Sequence, residues 1–239
     1  MIERPNPLLE RGVWIPAMDA RYFLSRRLKF IRQFSEMSSA PFIKRKRQIE
    51  AEEEPFAPPY SEDPEPAFLN EWLEAEESLQ ALGHMCISML AAVFHLYFKA
   101  WERQIGIPVD ASLKGDFKNG WFNGYKAYFA RHCFIRFEDS PTKVVVLEEI
   151  VLVRNRTQHP ESITMDSSHY SDSDLEKLPH PFFIDEDDAS LFSETEESER
   201  AWLMAPAIRI TVEKLFTALD EVESFAEWLE NVEVEQRAS

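Results

Sequence analysis

The chain has 239 residues, a net charge of −17 and only six glycines, none of them after Gly124. Hydrophobic residues make up 44% of the sequence and charged residues 29%, enough apolar material for a core and too much charge for a membrane-embedded protein. Sandwiches, barrels and doubly wound folds need glycines in turns and phosphate-binding loops, and the Walker and dinucleotide glycine patterns are absent from the sequence. The composition therefore predicts an all-α protein.

Acidic and basic residues are unevenly distributed along the chain. Residues 1–50 hold 11 basic and 5 acidic side chains, a net charge of +6, whereas residues 51–239 hold 15 and 38, a net charge of −23. An acidic body of this kind repels nucleic acid at long range, so RNA chemistry would need a local basic site or the basic N-terminal segment. The two cysteines, Cys86 and Cys133, fit free thiols, and no secretory signal pattern begins the sequence, so a cytoplasmic protein is expected.

Residues 1–66 predict a basic N-terminal arm that ends in a stiff connector. Apolar residues at helical spacing predict a helix from Asp19 to about Met37. The run Lys44-Arg45-Lys46-Arg47 is typical of a solvated helical segment, and the alternative is a nucleic-acid contact or targeting signal, as in a DNA-binding regulator. Five prolines between residues 55 and 66 exclude a helix or a central strand there.

Residues 67–234 predict a bundle of four to five helices. An apolar stripe predicts a long helix from about Ala67 to Gln104, whose apolar centre, Met85–Phe98, is too short and too polar to span a bilayer and is expected in the core. The aromatic segment 117–137 is expected to pack against this helix, although its rings could also stack on bases. An amphipathic pattern predicts a last helix over about Glu199–Val234.

Two segments between these helices have a distinct composition. Val144–Val153 is apolar and β-branched, and the absence of turn residues together with Glu148 and Glu149 favours a helix over a strand. Residues 160–199 form a predicted acidic insertion, with eight acids and no base between Asp185 and Glu199. We expect this insertion to be a solvated excursion from the bundle.

The most unusual local pattern is the end of the apolar helix, Arg154-Asn155-Arg156-Thr157-Gln158-His159. If the last turn stays helical, Asn155 and His159 lie on one side with Arg154 beside them. Arg154 follows an apolar helical face, and an arginine there must find an anion, because an unpaired buried charge is costly. That anion is a carboxylate of the protein or a phosphate of a substrate.

This pattern resembles the active-site motif of the HEPN superfamily (higher eukaryotes and prokaryotes nucleotide-binding). HEPN domains are all-α bundles of four to five helices, many of them metal-independent endoribonucleases, and their signature is Arg, four to six residues, then His, often with Asn after the Arg. Four residues separate Arg154 from His159 here. The motif follows long helices and precedes a long amphipathic helix, so the resemblance extends over Ala67–Val234.

The resemblance implies a role for each residue of the motif. Arg154 would bind the scissile phosphate, Asn155 would orient the histidine or a phosphate oxygen, and His159 would move the proton of the ribose 2′-OH or of the leaving 5′-oxygen. Arg156 would add a substrate contact. The reaction would need no metal and no cofactor. Family members dimerise so that two motifs line one cleft, which predicts a homodimer, an RNA substrate, a toxin or defence setting and an antitoxin or regulatory partner.

Other candidate sites are weaker. His84, His95 and His132 lie in apolar segments and are expected to be core or boundary residues. No Cys/His cluster or Glu-x-x-His pair predicts a metal site, and no membrane segment is expected. The alternative to a nuclease is a non-catalytic helical module that binds a protein or a nucleotide, with Arg154 capping carbonyls or held in an internal ion pair.

Overall fold

A computed structural model describes residues 17–60, 65–159, 168–185 and 206–238 of the chain. The regular elements in these ranges are seven α-helices and the 3-10 helix Phe137–Asp139. The helices are α1 (Ala17–Glu50), α2 (Leu69–Ile105), α3 (Lys114–Lys118), α4 (Trp121–His132), α5 (Val144–Gln158), α6 (Asp172–Lys177) and α7 (Val212–Ala238). Two isolated antiparallel bridges join His169 to Ala207 and Ile184 to Ile208. The prediction of an all-α protein is confirmed, and Val144–Val153 is helical as expected.

The chain forms two compact units. The first contains the described residues of Met1–Lys29, Met89–Leu152 and Ala218–Ser239, and the second those of Phe30–Ser88 and Val153–Thr217. Helices α1, α2, α5 and α7 therefore each contribute residues to both units. The units are built from interleaved stretches of chain. The division into an N-terminal arm, 1–66, and a bundle, 67–234, stays a prediction.

The first unit has an aromatic core. The ring of Phe98 in α2 lies 4.8 Å from that of Phe94 and stacks at 5.0 Å on Tyr125 of α4. Phe225 of α7 completes the cluster at 6.0 Å from Phe98, and all four side chains are buried. Most rings of the aromatic segment are thus core, as predicted, but Phe117 and Trp121 are half-buried and Phe134 is 85% exposed. Ring burial of this kind is the main stabilising term of such a unit.

The second unit contains the middle and end of α1, the first half of α2, the end of α5, α6 and the segment 206–211. Ile31 and Ser35 of α1, Cys86 of α2 and Ile208 are among its buried residues. Its outer part carries a polar cluster in which Glu76 of α2 accepts a hydrogen bond from Lys46 at 2.5 Å. Burial alone would raise the pKa of Glu76, but the bonds from Lys46 and Gln80 and the charges of Lys46 and Arg209 hold it below its ordinary value.

Helix α1 is longer than the sequence pattern predicted, because it continues from Met37 through Pro41 and the basic run to Glu50. Proline costs an interior helix one hydrogen bond, and the buried Ser39 and the bond from Lys46 to Glu76 hold the helix on both sides of it. Helix α7 begins at Val212 rather than near Glu199, since residues 206–210 are extended and include both bridge positions. Most of the predicted acidic insertion, residues 160–167 and 186–199, lies outside the described residues.

Helix α2 is long and apolar enough to cross a membrane by length and composition alone. Its most apolar stretch of 18 residues is 44% buried inside the protein. Ile87, Leu90 and Phe94 of this stretch have no exposed surface. A core helix passes the same test of length and composition, so this finding is weak evidence for a membrane span.

Candidate active site

The Arg154–His159 motif occupies the last turn of α5 and the residue that follows it. The backbone N–H of His159 donates to the carbonyl of Asn155 at 3.0 Å, so helical hydrogen bonding extends to the end of the motif. Asn155 and His159 are therefore one turn apart on the same side of the helix, and both side chains are exposed. All of these residues belong to the second unit.

Arg154 is half-buried and is oriented by its neighbour. Its Nη1 donates to Oδ1 of Asn155 at 2.9 Å. Within the part of the chain that the structure describes, no carboxylate lies within ion-pair distance of Arg154, nor does its side chain bind a backbone carbonyl. Its remaining guanidinium donors are directed to solvent or to a ligand. A partly desolvated cation of this kind is a natural anion-binding group.

Arg156 has the opposite surroundings. Its Nε and Nη2 bind Oδ2 of Asp174 at 2.8 and 2.6 Å, and Nη2 also donates to Oγ of Ser171 at 2.5 Å. Ser171 and Asp174 are the two residues of the capping box that begins α6, in which the Ser171 N–H donates to Asp174 Oδ2 at 2.9 Å. Arg156, expected from the sequence to contact substrate, thus ties α6 to the end of α5.

A second histidine lies against the motif. Nδ1 of His84, on α2, is 2.9 Å from the hydroxyl oxygen of Thr157, which in turn lies 2.9 Å from the carbonyl oxygen of Val153. Burial and the charge of Arg209 lower the pKa of His84, against the opposing effect of a backbone hydrogen bond with Ile208. The Thr157 hydroxyl donates to the Val153 carbonyl, and the tautomer of His84 determines whether Nδ1 donates to that hydroxyl or accepts from it. The sequence gives no indication of this contact, because His84 and Thr157 are 73 residues apart.

The arrangement combines an anion-binding cation with an exposed proton carrier. Arg154 offers parallel N–H donors to a phosphate, and His159 presents an exposed imidazole. In the ranges that the structure describes, no three side chains of the His, Cys, Asp and Glu types come together in a way that could hold a metal ion. Arg154 is thus suited to bind an anion such as a phosphate, and the exposed His159 lies five residues further along the chain.

Comparison with known proteins adds no relative: no protein-family model, no curated protein and no solved structure matches the chain. The resemblance to the HEPN superfamily consequently rests on the Arg154–His159 motif and the order of the helices alone.

Proposed function

We propose that the protein is a metal-independent endoribonuclease of HEPN type whose site is Arg154, Asn155 and His159. The observation that carries the proposal is the contrast between two neighbouring arginines. Arg156 is fully engaged by Asp174 and Ser171, whereas half-buried Arg154 has no carboxylate partner among the described residues and is only oriented by Asn155. A folded protein rarely leaves a partly buried cation without a counter-charge unless a ligand supplies it.

Each side chain has one task in the proposed reaction. Arg154 binds the non-bridging oxygens of the scissile phosphate, and Asn155 fixes the guanidinium through Oδ1. The ribose 2′-oxygen attacks phosphorus, the bond from phosphorus to the 5′-oxygen breaks, and His159 passes a proton between the two oxygens. The products are a 2′,3′-cyclic phosphate and a 5′-hydroxyl. DNA lacks the attacking hydroxyl and is not cleaved.

We further propose a cytoplasmic homodimer that brings two copies of the motif to one cleft. Doubling the motif brings two Arg154 side chains to one cleft, which provides a local cationic site for RNA on a chain whose net charge is −17. The HEPN resemblance also suggests a toxin or defence setting with an antitoxin or regulatory partner. Sedimentation equilibrium at micromolar concentration tests the dimer directly: the expected mass is twice 27.9 kDa, and the monomer mass contradicts it.

The ribonuclease is tested with purified protein and total RNA in EDTA, because chelation removes metal-dependent contaminants. We expect fragments with cyclic-phosphate ends from the unchanged protein, and rates lower by about 100-fold or more for Arg154→Ala and for His159→Ala. The matched controls are Arg136→Ala and His180→Ala, which change exposed residues of the same types. Control rates within about twofold of the unchanged protein are expected.

Two results contradict this proposal. Cleavage that persists in Arg154→Ala and His159→Ala shows that other residues or a contaminant act on the RNA. If the RNA stays intact with the unchanged protein and with every variant, the protein does not cleave bulk RNA.

A helical interaction module is the second candidate, and one observation favours it. Phe23, Phe30 and Met37 recur every seven residues along α1, and each exposes more than half of its side chain, at 55%, 53% and 71%. An uncovered apolar row of this kind is typical of a helix that packs against a partner. If RNA stays intact, Phe30→Ser with Met37→Ser is expected to change the sedimenting mass of the protein, and an unchanged mass contradicts self-association through this row.

A further inference from the structure

The four consecutive basic residues of α1, Lys44 to Arg47, fall into two groups. The ammonium group of Lys46 binds Oε2 of Glu76 and lies 4.1 Å from the centre of the Trp72 ring. Arg45 lies 3.9 Å from a carboxylate oxygen of Glu74. These two bases are used within the protein, so only the remaining two are available to a ligand.

Lys44 and Arg47 have no carboxylate within ion-pair distance among the described residues, and both are exposed. The two positions are three residues apart and share a face of α1. Two cations so placed can bind a single acidic group together.

The same face of α1 lines an open cavity of about 480 Å³ in the second unit, and most of the residues that line it are exposed to solvent. This volume lies in the range of small-molecule sites. Its apolar lining residues are Ala40 and Ile43 of α1 and Val212 at the start of α7. The lining residues that bear on the choice of ligand are Glu36, Ser39, Ile43, Lys44, Arg47 and Val212.

The charges of the cavity are arranged along α1. Glu36 precedes Lys44 by eight residues, which is roughly 12 Å along a helix axis. One end of the cavity is therefore cationic and the other anionic, with Ile43 and Val212 among the residues that line it. An anionic head is attracted to the first end, and a second anionic head would be repelled by Glu36.

We propose that this cavity binds a small organic acid with one anionic head and an apolar body. Lys44 and Arg47 bind the head, Ile43 and Val212 contact the body, and Glu36 selects against diacids. The site is separate from the Arg154–His159 motif, none of whose residues lines the cavity. The proposal does not depend on the ribonuclease activity.

Decanoate is the probe, followed through the methyl NMR signals of Ile43 and Val212 in the full chain. We expect both signals to shift saturably at millimolar decanoate, and the same-length diacid decanedioate and the amine decylamine to bind more weakly. Lys44→Gln and Arg47→Gln should each weaken decanoate binding by roughly tenfold, the loss of one charge-assisted hydrogen bond. Glu36→Gln should raise the affinity for decanedioate and leave that for decanoate within about twofold.

Arg45→Gln is the matched control, because it removes the same charge from the same run outside the cavity. Its decanoate affinity is expected within about twofold of that of the unchanged protein. The proposal is overturned if decanoate shifts neither methyl signal, if Arg45→Gln loses as much affinity as Arg47→Gln, or if decylamine binds as tightly as decanoate. Unchanged signals elsewhere in the spectrum of each variant establish that the variant is folded.

Discussion

Asp174 is only 7% exposed and depends on Arg156 for its counter-charge. Replacing Arg156 by Gln leaves that carboxylate buried with its capping bonds alone, so we expect the free energy of unfolding to fall by about 2 kcal/mol. Arg154→Gln, two positions earlier, removes an arginine with no carboxylate partner among the described residues and should cost less than about 0.5 kcal/mol. Urea unfolding followed by circular dichroism measures both. Equal losses would contradict the distinction drawn between the two arginines.

His84 predicts a pH dependence of stability. Its pKa in the folded protein is lowered by burial from the ordinary value of 6.5, so the folded state binds the proton less tightly than the unfolded chain. The contribution of neutral His84 to the free energy of unfolding is fully present above pH 6.5. It is lost as the pH falls from 6.5 through the lowered pKa of His84. Unfolding free energies of the unchanged protein and of His84→Gln, measured over this range, should converge at the acid end. Parallel curves would show that His84 titrates normally.

The motif shows how far the sequence determines a site. Spacing alone placed Asn155 and His159 on one side of the helix end, because helical periodicity is local. The partner of Arg156 is Asp174, 18 residues later, and the neighbour of Thr157 is His84, 73 residues earlier. Such contacts depend on packing between helices, so the sequence could not show which of the two arginines is held in an ion pair.

At the scale of the elements, the segment 206–210 packs closely against α2. The amide of Ile210 donates to Oε1 of Gln80 at 3.0 Å, and a Cβ on Gly83 would lie 2.8 Å from both the carbonyl oxygen and the Cβ of Ile210. Gly83→Ala is therefore expected to destabilise the protein by about 2 kcal/mol, although alanine favours a helix intrinsically.

Gly115, in α3, is the matched control for this substitution, since an added Cβ meets nothing within 4 Å there. Gly115→Ala should stabilise the protein by about 0.5 kcal/mol. Thermal unfolding of the two variants measures the difference. A stabilising Gly83→Ala would show that the backbone of residues 206–210 moves away from α2 at little cost.

The sequence predicted which segments are helical. It predicted less well which face of each helix is buried. In α1, Phe23 and Phe30 share helical spacing with Leu24, Leu28 and Ile31, yet the aliphatic residues are buried and the two phenylalanines are exposed. A helix with apolar residues on more than one face does not reveal which face its neighbours cover. The same ambiguity affects α2, where the whole stretch Met85–Phe98 is expected in the core, yet Met85 and Leu96 are 54% and 62% exposed.

For the whole molecule, the net charge of −17 predicts an unusual response of the proposed nuclease to salt. Proteins that bind nucleic acid through basic surfaces lose affinity steeply as salt rises. Here salt also screens the repulsion between an acidic body and RNA, over a Debye length of about 10 Å at 0.1 M. Between about 20 and 100 mM salt we expect kcat/KM on RNA to stay within about twofold or to rise. A steep fall would indicate a larger basic surface than the motif provides.

The aromatic core of the first unit also makes the protein its own optical reporter. Trp101 is fully buried there, with the rings of Tyr97 and Phe129 at 6.3 and 6.2 Å, and Trp121 and Trp228 belong to the same unit. Water reaches Trp101 only when this core opens, which shifts its fluorescence to longer wavelength. In the second unit Trp72 lies beside the Lys46 ammonium group. The positive charge of that group, rather than water, perturbs the fluorescence of Trp72. Opening of the aromatic core therefore changes the fluorescence of Trp101 without any attached label.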